Sequence, residues 1–402
     1  MAEAVSPRAI ARVNLAAIER NVVRLRAELE PGTALCAVVK ADGYGHGAPP
    51  SARAALAGGA GMLAVATAAE AAQLRADGIG APILVMGAIS AQELPVALAA
   101  GAELVVWSAP FVAALARLTA LPSGGAAAPT RVHVKLDTGM GRLGTRQESE
   151  ALEVAAQVLG GAPALALAGA MTHFATAGED PEFLARQIAS FDSFVATVRA
   201  RHPRIVAHAA NSAATMCEPA SHFDLVRCGI AIYGCDPMNE DPEPRGLEPA
   251  LELTSYLAAV KLARVGESAG YGRRFVAQRE TWIATLPIGY ADGIRRALSE
   301  RCDVLTAGRR HPLVGAVSMD NITVDLGEQI DARPGDRATI IGRDGAQRQL
   351  AEDLARRIGT INYEIVCGIS HRVPRVYHRD GEPAPASEPA RDEEPAPAKE
   401  PA

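Results

Sequence analysis

Short apolar runs recur along the first half of the chain, and the segments between them carry apolar residues three or four positions apart. The runs are LCAVVK from Leu35, MLAVAT from Met62, PILVMG from Pro82, ELVVWS from Glu103, RVHVKLD from Arg131, ALAGAMTH from Ala166, IVAHAANS from Ile205 and FDLVRCGIAIYG from Phe223. Strands apolar on both faces are covered on both faces, and their alternation with helices predicts a parallel sheet; eight units predict a (β/α)8 TIM-like barrel. Ahead of them AIARVN alternates as a short strand, and Asn14 is placed to cap the helix LAAIERNVVRLRAEL, whose Leu15, Ile18, Val22, Leu25 and Leu29 share a face.

The pattern changes after the eighth run. DPMNEDPEPRGLEP is rich in proline and acid and reads as a linker. From Leu251 to about His378, apolar strands separated by glycine turns predict a mainly β C-terminal domain, interrupted by one amphipathic helix, QLAEDLARRI. The expected organisation is a barrel over residues 14–240 and a β domain over residues 241–378, which the strand within residues 1–13 can also join. Residues 379–402 repeat Pro, Ala and Glu with nothing to bury, and predict a disordered tail.

Composition narrows the function. With 49% hydrophobic and 21% charged residues the 402-residue chain reads as globular, and a net charge of -6 gives no reason to expect nucleic acid or an anionic membrane as partner. Six cysteines lie far apart without a C-x-x-C pair, which fits reduced thiols in the cytoplasm and no metal site. No secretory leader or membrane span is expected, because the apolar stretches are interrupted too early.

Chemistry-bearing residues gather where the predicted strands end. Lys40 follows the first run and opens a glycine-rich stretch, AVVKADGYGHG; Lys135 and Asp137 follow the fifth, His173 the sixth, and Asn211 with Ser212 the seventh, while Arg227 and Gly229 lie in the eighth. A barrel builds its active site at that rim. A partly dehydrated lysine there favours the neutral amine that a Schiff base requires.

The ordered stretches AVVKADGYGHG, VHVKLDTGMGRLG, THFATA, HAANSAA, LVRCGIAIYG, PIGYADG, VGAVSMDN and TINYE resemble the alanine racemases, fold-type III enzymes that use pyridoxal 5'-phosphate. The likeness spans both domains. It implies that Lys40 forms the Schiff base and acts as base on one face of the substrate, with Tyr271 of a partner subunit as the second base, hence a homodimer with shared active sites. It implies cofactor contacts from Tyr44, His173, Asn211, Ser212, Arg227, Gly229, Ile230 and Tyr363, with Arg227 at the pyridine nitrogen. Arg142 and the Met319 backbone N–H are implied as contacts to the substrate carboxylate, Lys135 as a carbamate beside Arg142, and Asp320 and Tyr290 as entryway residues.

A tyrosine is a weak base: an ordinary pKa of about 10 makes the phenolate at neutral pH cost about 4 kcal/mol. Arg227 and His173 are the expected sources of stabilising positive charge. The chain departs from the common pattern at Gly270, Ala316 and His371, where Ser, Arg and Tyr are usual. The expected activity is interconversion of L- and D-alanine, supplying D-alanine for peptidoglycan. A serine or broad-specificity racemase is the alternative, since one methyl group in a pocket is worth only about 1–3 kcal/mol. A non-catalytic cofactor carrier is a further alternative, and it would need neither Tyr271 nor a substrate gate.

Overall fold

The computed structural model describes residues 7–119 and 128–384. The eight predicted runs form eight parallel strands: β2 (Ala34–Val38), β3 (Met62–Val65), β4 (Ile83–Val85), β5 (Glu103–Val106), β6 (Thr130–Lys135), β7 (Leu165–Met171), β8 (Val206–His208) and β9 (Leu225–Cys228). Their order in space runs from β8 down to β2 and on to β9. Backbone bonds from Asp224 N to Ala207 O (3.0 Å) and from Arg227 N to Ala210 O (2.9 Å) close the ring between β8 and β9. Nearly every residue of β2 to β5 is buried, the signature of strands covered on both faces.

Strand β1 (Ala9–Asn14) does not enter the barrel. It pairs antiparallel with β10 (Leu251–Tyr256) and parallel with Arg375–Arg379, third from one end of an 11-stranded sheet that builds the second domain. From β1 the chain crosses into the barrel through the helix Leu15–Arg26. Asn14 caps that helix, its side chain accepting from Ala16 N at 3.2 Å. The helix stops at Arg26, short of Leu29, which still packs against the core.

Two differences from the sequence reading concern the second domain. Arg379 and Glu382 pair as a hairpin, so residues 379–384 are ordered by backbone bonding that composition does not register. The rest of the expected disordered tail, residues 385–402, lies outside the described residues. A second helix, Asn362–Cys367, follows the amphipathic one, Ala351–Ile358, and is too short to leave a periodic signal. It points into the barrel mouth.

Buried polar ties lock the domains together. Asn21 donates to Ile232 O (3.2 Å) and Glu248 O (2.9 Å) and accepts from Glu248 N (2.8 Å), fastening the first helix to the end of the eighth run and to the linker. On the other side Asn362 donates to Asp236 O (2.7 Å) and Glu352 Oε1 (2.8 Å), which also accepts from Asp236 N (3.0 Å). Removing the Asn21 amide leaves buried backbone groups without partners. Asn21→Ala is expected to cost about 3 kcal/mol, read from urea unfolding; a loss below about 0.5 kcal/mol would show that the tie is not structural.

Candidate active site

At the carboxyl mouth of the barrel lies a cavity of about 440 Å³ that gathers Lys40, Lys135, Arg142, His173 and Arg227 from different strands. Tyr44, Asn211, Ser212, Gly229, Ile230 and Tyr363 line it as well. Eleven of the residues singled out in the sequence thus meet in one space. Four are cationic, and among the described residues no Asp or Glu lines the cavity.

The backbone after β2 is what aims Lys40. Ala41, Asp42, Gly43, Tyr44 and Gly45 all have positive φ, between 51° and 81°, which makes a left-handed turn. For the three residues that carry a Cβ this costs about 1–2 kcal/mol each. The turn is tied down from several sides: Ala41 N donates to Glu70 (2.7 Å), Ala48 N to the Asp42 side chain (2.8 Å), and Arg375 of the second domain to Gly45 O (3.0 Å). Burial first, then the nearby Arg142, holds the Lys40 ammonium below its ordinary range, so the neutral amine is favoured.

Arg227 is the buried anchor of the site. It donates from Nη2 to Thr172 O (2.8 Å) and Ala209 O (2.8 Å), sharing one of these two hydrogens with His173 Nδ1 (3.3 Å), and from Nη1 to His208 Nδ1 (3.0 Å). Accepting at Nδ1 leaves the neutral His173 ring with its proton on Nε2. Burial, reinforced by Arg227, Arg142, Lys135 and Lys40, pushes His173 well below 6.5. The expectation that His173 adds positive charge is therefore corrected: burial disfavours the imidazolium, the ring has only its Nε2–H left to donate, and Arg227 and Arg142 supply the positive field.

Ser212 Oγ accepts from Gly229 N at 2.9 Å and Ala231 N at 3.4 Å. The Gly229 N–H is therefore committed within the chain, while the Ser212 hydroxyl proton and the Ile230 N–H remain available. A Cβ at position 229 would lie 2.4 Å from Tyr44 Oη, so glycine is what lets this tyrosine and the loop share the space.

Lys135 is 3% exposed, which excludes a solvent-facing lysine. Burial and then Arg227 and Arg142 push its pKa down to about 8. Asp137 is not in the cavity: its carboxylate accepts from Gly139 N (3.1 Å) and Gly141 N (3.0 Å) and folds the loop that presents Arg142.

Tyr271, Tyr290, Met319 and Asp320 stand apart from this cavity. Tyr271 is 75% exposed and Met319 52% exposed, and Tyr271 borders a separate hollow of about 350 Å³ with Gly270, Ala316 and Ser318. Tyr290 N bonds to Ser318 O (2.9 Å), so its loop adjoins that hollow. Asp320 accepts from Arg372 at 2.8 Å. Gly270 has φ 75° and ψ 176°, backbone suited to glycine. The sequence reading missed Ala66, Met86, Met171 and Cys367, which also line the cavity. The first three sit at strand ends, so extending the rim rule to apolar residues would have found them; Cys367 comes from the short helix that left no pattern.

A barrel with a cationic cavity at its carboxyl mouth, covered by a β domain that contributes Tyr363, defines a two-domain barrel enzyme. The chain belongs to the alanine racemase family: residues 13–237 match the alanine racemase N-terminal domain and residues 250–377 the C-terminal domain. Alanine racemase of Thermobifida fusca is 42% identical over 91% of this chain and 97% of its own length, and that of Desulfovibrio desulfuricans 39% identical over 91% and 97%. The crystal structure of alanine racemase from D-cycloserine producing Streptomyces lavendulae is 38% identical, covering 93% of this chain and 98% of that one, with a TM-score of 0.87.

Lys135 generates a pH prediction. The unfolded chain binds its proton up to about 10.5 and the folded chain only up to about 8, so between these values the unfolded state holds more protons and stability rises with pH. In CO2-free buffer, Lys135→Met is expected to exceed the parent in stability by about 3 kcal/mol below pH 8, with the advantage vanishing by about pH 10.5. A difference independent of pH, followed by chemical denaturation, would contradict the buried amine.

Proposed function

We propose that this protein is a pyridoxal 5'-phosphate-dependent alanine racemase that interconverts L- and D-alanine in the cytoplasm and supplies D-alanine for peptidoglycan. The observation that carries the reading is the cavity with four cations, no carboxylate and a lysine biased towards its neutral form. Such a cavity calls for an anionic ligand with several acceptor oxygens. The available donors fit the cofactor: hydroxyls of Ser212, Tyr44 and Tyr363 and the Ile230 N–H would hold its phosphate, beside Gly229 where a side chain has no room.

Lys40 would hold the cofactor covalently, Asn211 would orient it, and Arg227 would face its ring nitrogen. The guanidinium is a donor that keeps its proton, so it would leave that nitrogen unprotonated. When bound, the cofactor withdraws electron density from the substrate Cα and makes its proton removable. The amine of Lys40, freed once the substrate's own amine replaces it on the cofactor, would take or return that proton on one face. On the other face the phenol of Tyr271, from a second copy of the chain, does the same. Its exposure and its distance in the fold from its own chain's cavity support a homodimer with shared sites. The neutral His173 donates Nε2–H towards the phenolic oxygen and, with Arg227 behind it, favours the phenolate.

Arg142 and the partner's Met319 backbone N–H receive the alanine carboxylate. Lys135, neutral more readily than an ordinary lysine, is suited to take up CO2 as a carbamate, which turns a charge that repels Arg142 into one that attracts it. Tyr290 and Asp320 line the approach.

Tyr271→Phe is expected to lower kcat for alanine by about 10²–10⁴ and to leave exchange of the Cα proton with solvent for one enantiomer only. Full and symmetric activity would overturn the two-base account, and faster turnover of serine or lysine than alanine would overturn the substrate. For Lys135, 13C-bicarbonate is expected to give a carbamate resonance that Lys135→Met abolishes; its absence from the parent would refute the carbamate.

A further inference from the structure

A line of buried hydrogen bonds leaves the cavity at Arg227 and crosses the barrel interior to the first residue of β5. Arg227 Nη1 lies 3.0 Å from His208 Nδ1, His208 Nε2 lies 2.8 Å from His133 Nδ1, and His133 Nε2 lies 2.7 Å from Glu103 Oε2. The other Glu103 oxygen accepts from Arg131 Nε at 2.8 Å. Glu103, His133, His208 and Arg227 are all at most 7% exposed.

The direction of this line follows from its ends. A guanidinium only donates, so His208 must accept at Nδ1 and carry its proton on Nε2. That proton goes to His133 Nδ1, which leaves the His133 proton on Nε2, facing the carboxylate. Any other neutral arrangement sets donor against donor. The barrel makes room for the line at one place: His133 on β6 is in register with Gly169 on β7, and a Cβ at Gly169 would lie 2.3 Å from His133 Nδ1. The imidazoles meet across an intervening strand at a residue without a side chain.

We propose that Glu103 is a positioning residue for Arg227: its carboxylate fixes both histidines as Nε2–H tautomers and so presents to Arg227 the lone pair that holds the guanidinium aimed into the cavity. The line carries one positive and one negative end with two imidazoles between. Burial alone would raise Glu103, but the bonds from His133 and Arg131 hold it below the ordinary carboxylate range, and burial pushes His208 well below 6.5. The other groups facing the line are the cations Arg131 and Lys135 and the thiols Cys36 and Cys228, which burial raises and keeps neutral.

The activity arm of the test rests on the racemase reading; the tautomer arm does not. In holoenzyme labelled with 15N-histidine, the rings of His133 and His208 are expected to show the Nε2–H form at about pH 8. In Glu103→Gln, whose amide can present a donor to His133, both are expected to lose that fixed form, and kcat for alanine is expected to fall roughly tenfold with KM changed less than about twofold. His133→Phe, which keeps the ring volume, should produce the same loss, and the double variant no more than either single one, because all three break the same line. Unchanged histidine signals with unchanged kcat in Glu103→Gln, or losses that multiply in the double variant, would overturn the proposal. Tautomers that shift as expected in an enzyme inactive on alanine would uphold the line and reject the racemase reading.

Discussion

Four cationic side chains share a cavity of about 440 Å³ that no carboxylate lines among the described residues. Mutual repulsion and desolvation make that arrangement unfavourable by itself, and both push the lysines towards their neutral forms. Most of the local structure reads as a response. Arg227 is kept in place by backbone carbonyls and imidazoles rather than by an acid beside it, with Glu103 as the distant negative end. The remaining charge awaits an anionic occupant, for which a phosphate and a substrate carboxylate are the natural candidates.

The fold delivers these groups cheaply because a parallel barrel ends all its strands on one rim. The turn that follows Lys40 is strained backbone, and the strain is held by contacts from Glu70, Asp42 and Arg375. The second domain supplies Arg375 and Tyr363 to its own barrel. Its exposed Tyr271 and Met319 do not line that cavity, as expected for parts of a site completed by another copy.

Much of this was legible in the sequence. Doubly apolar runs such as MLAV and ILV can lie only in a covered sheet, so the barrel followed from the pattern, and the rim rule collected Lys40, Lys135, His173 and Arg227. What was not legible was through-space. Whether His173 is charged depends on Arg227 and Arg142 arriving from other strands; Asp137 and Lys135 are two residues apart yet face different spaces; and the strand at Ala9 could be assigned only once its partners, Leu251–Tyr256 and Arg375–Arg379, were known. The short helix bearing Tyr363 and Cys367 has too few turns to show a period. Gly169 reads as an ordinary small residue until His133 is seen to pass over it.

The central claim is that one catalytic cavity needs Lys40 from one chain and Tyr271 from another. Mixing Lys40→Ala and Tyr271→Phe proteins and allowing subunits to exchange tests it directly. Each hybrid dimer would contain one site with both substitutions and one with neither, so activity is expected to recover to about a quarter of the parent's. A mixture as inactive as its two components would contradict the account.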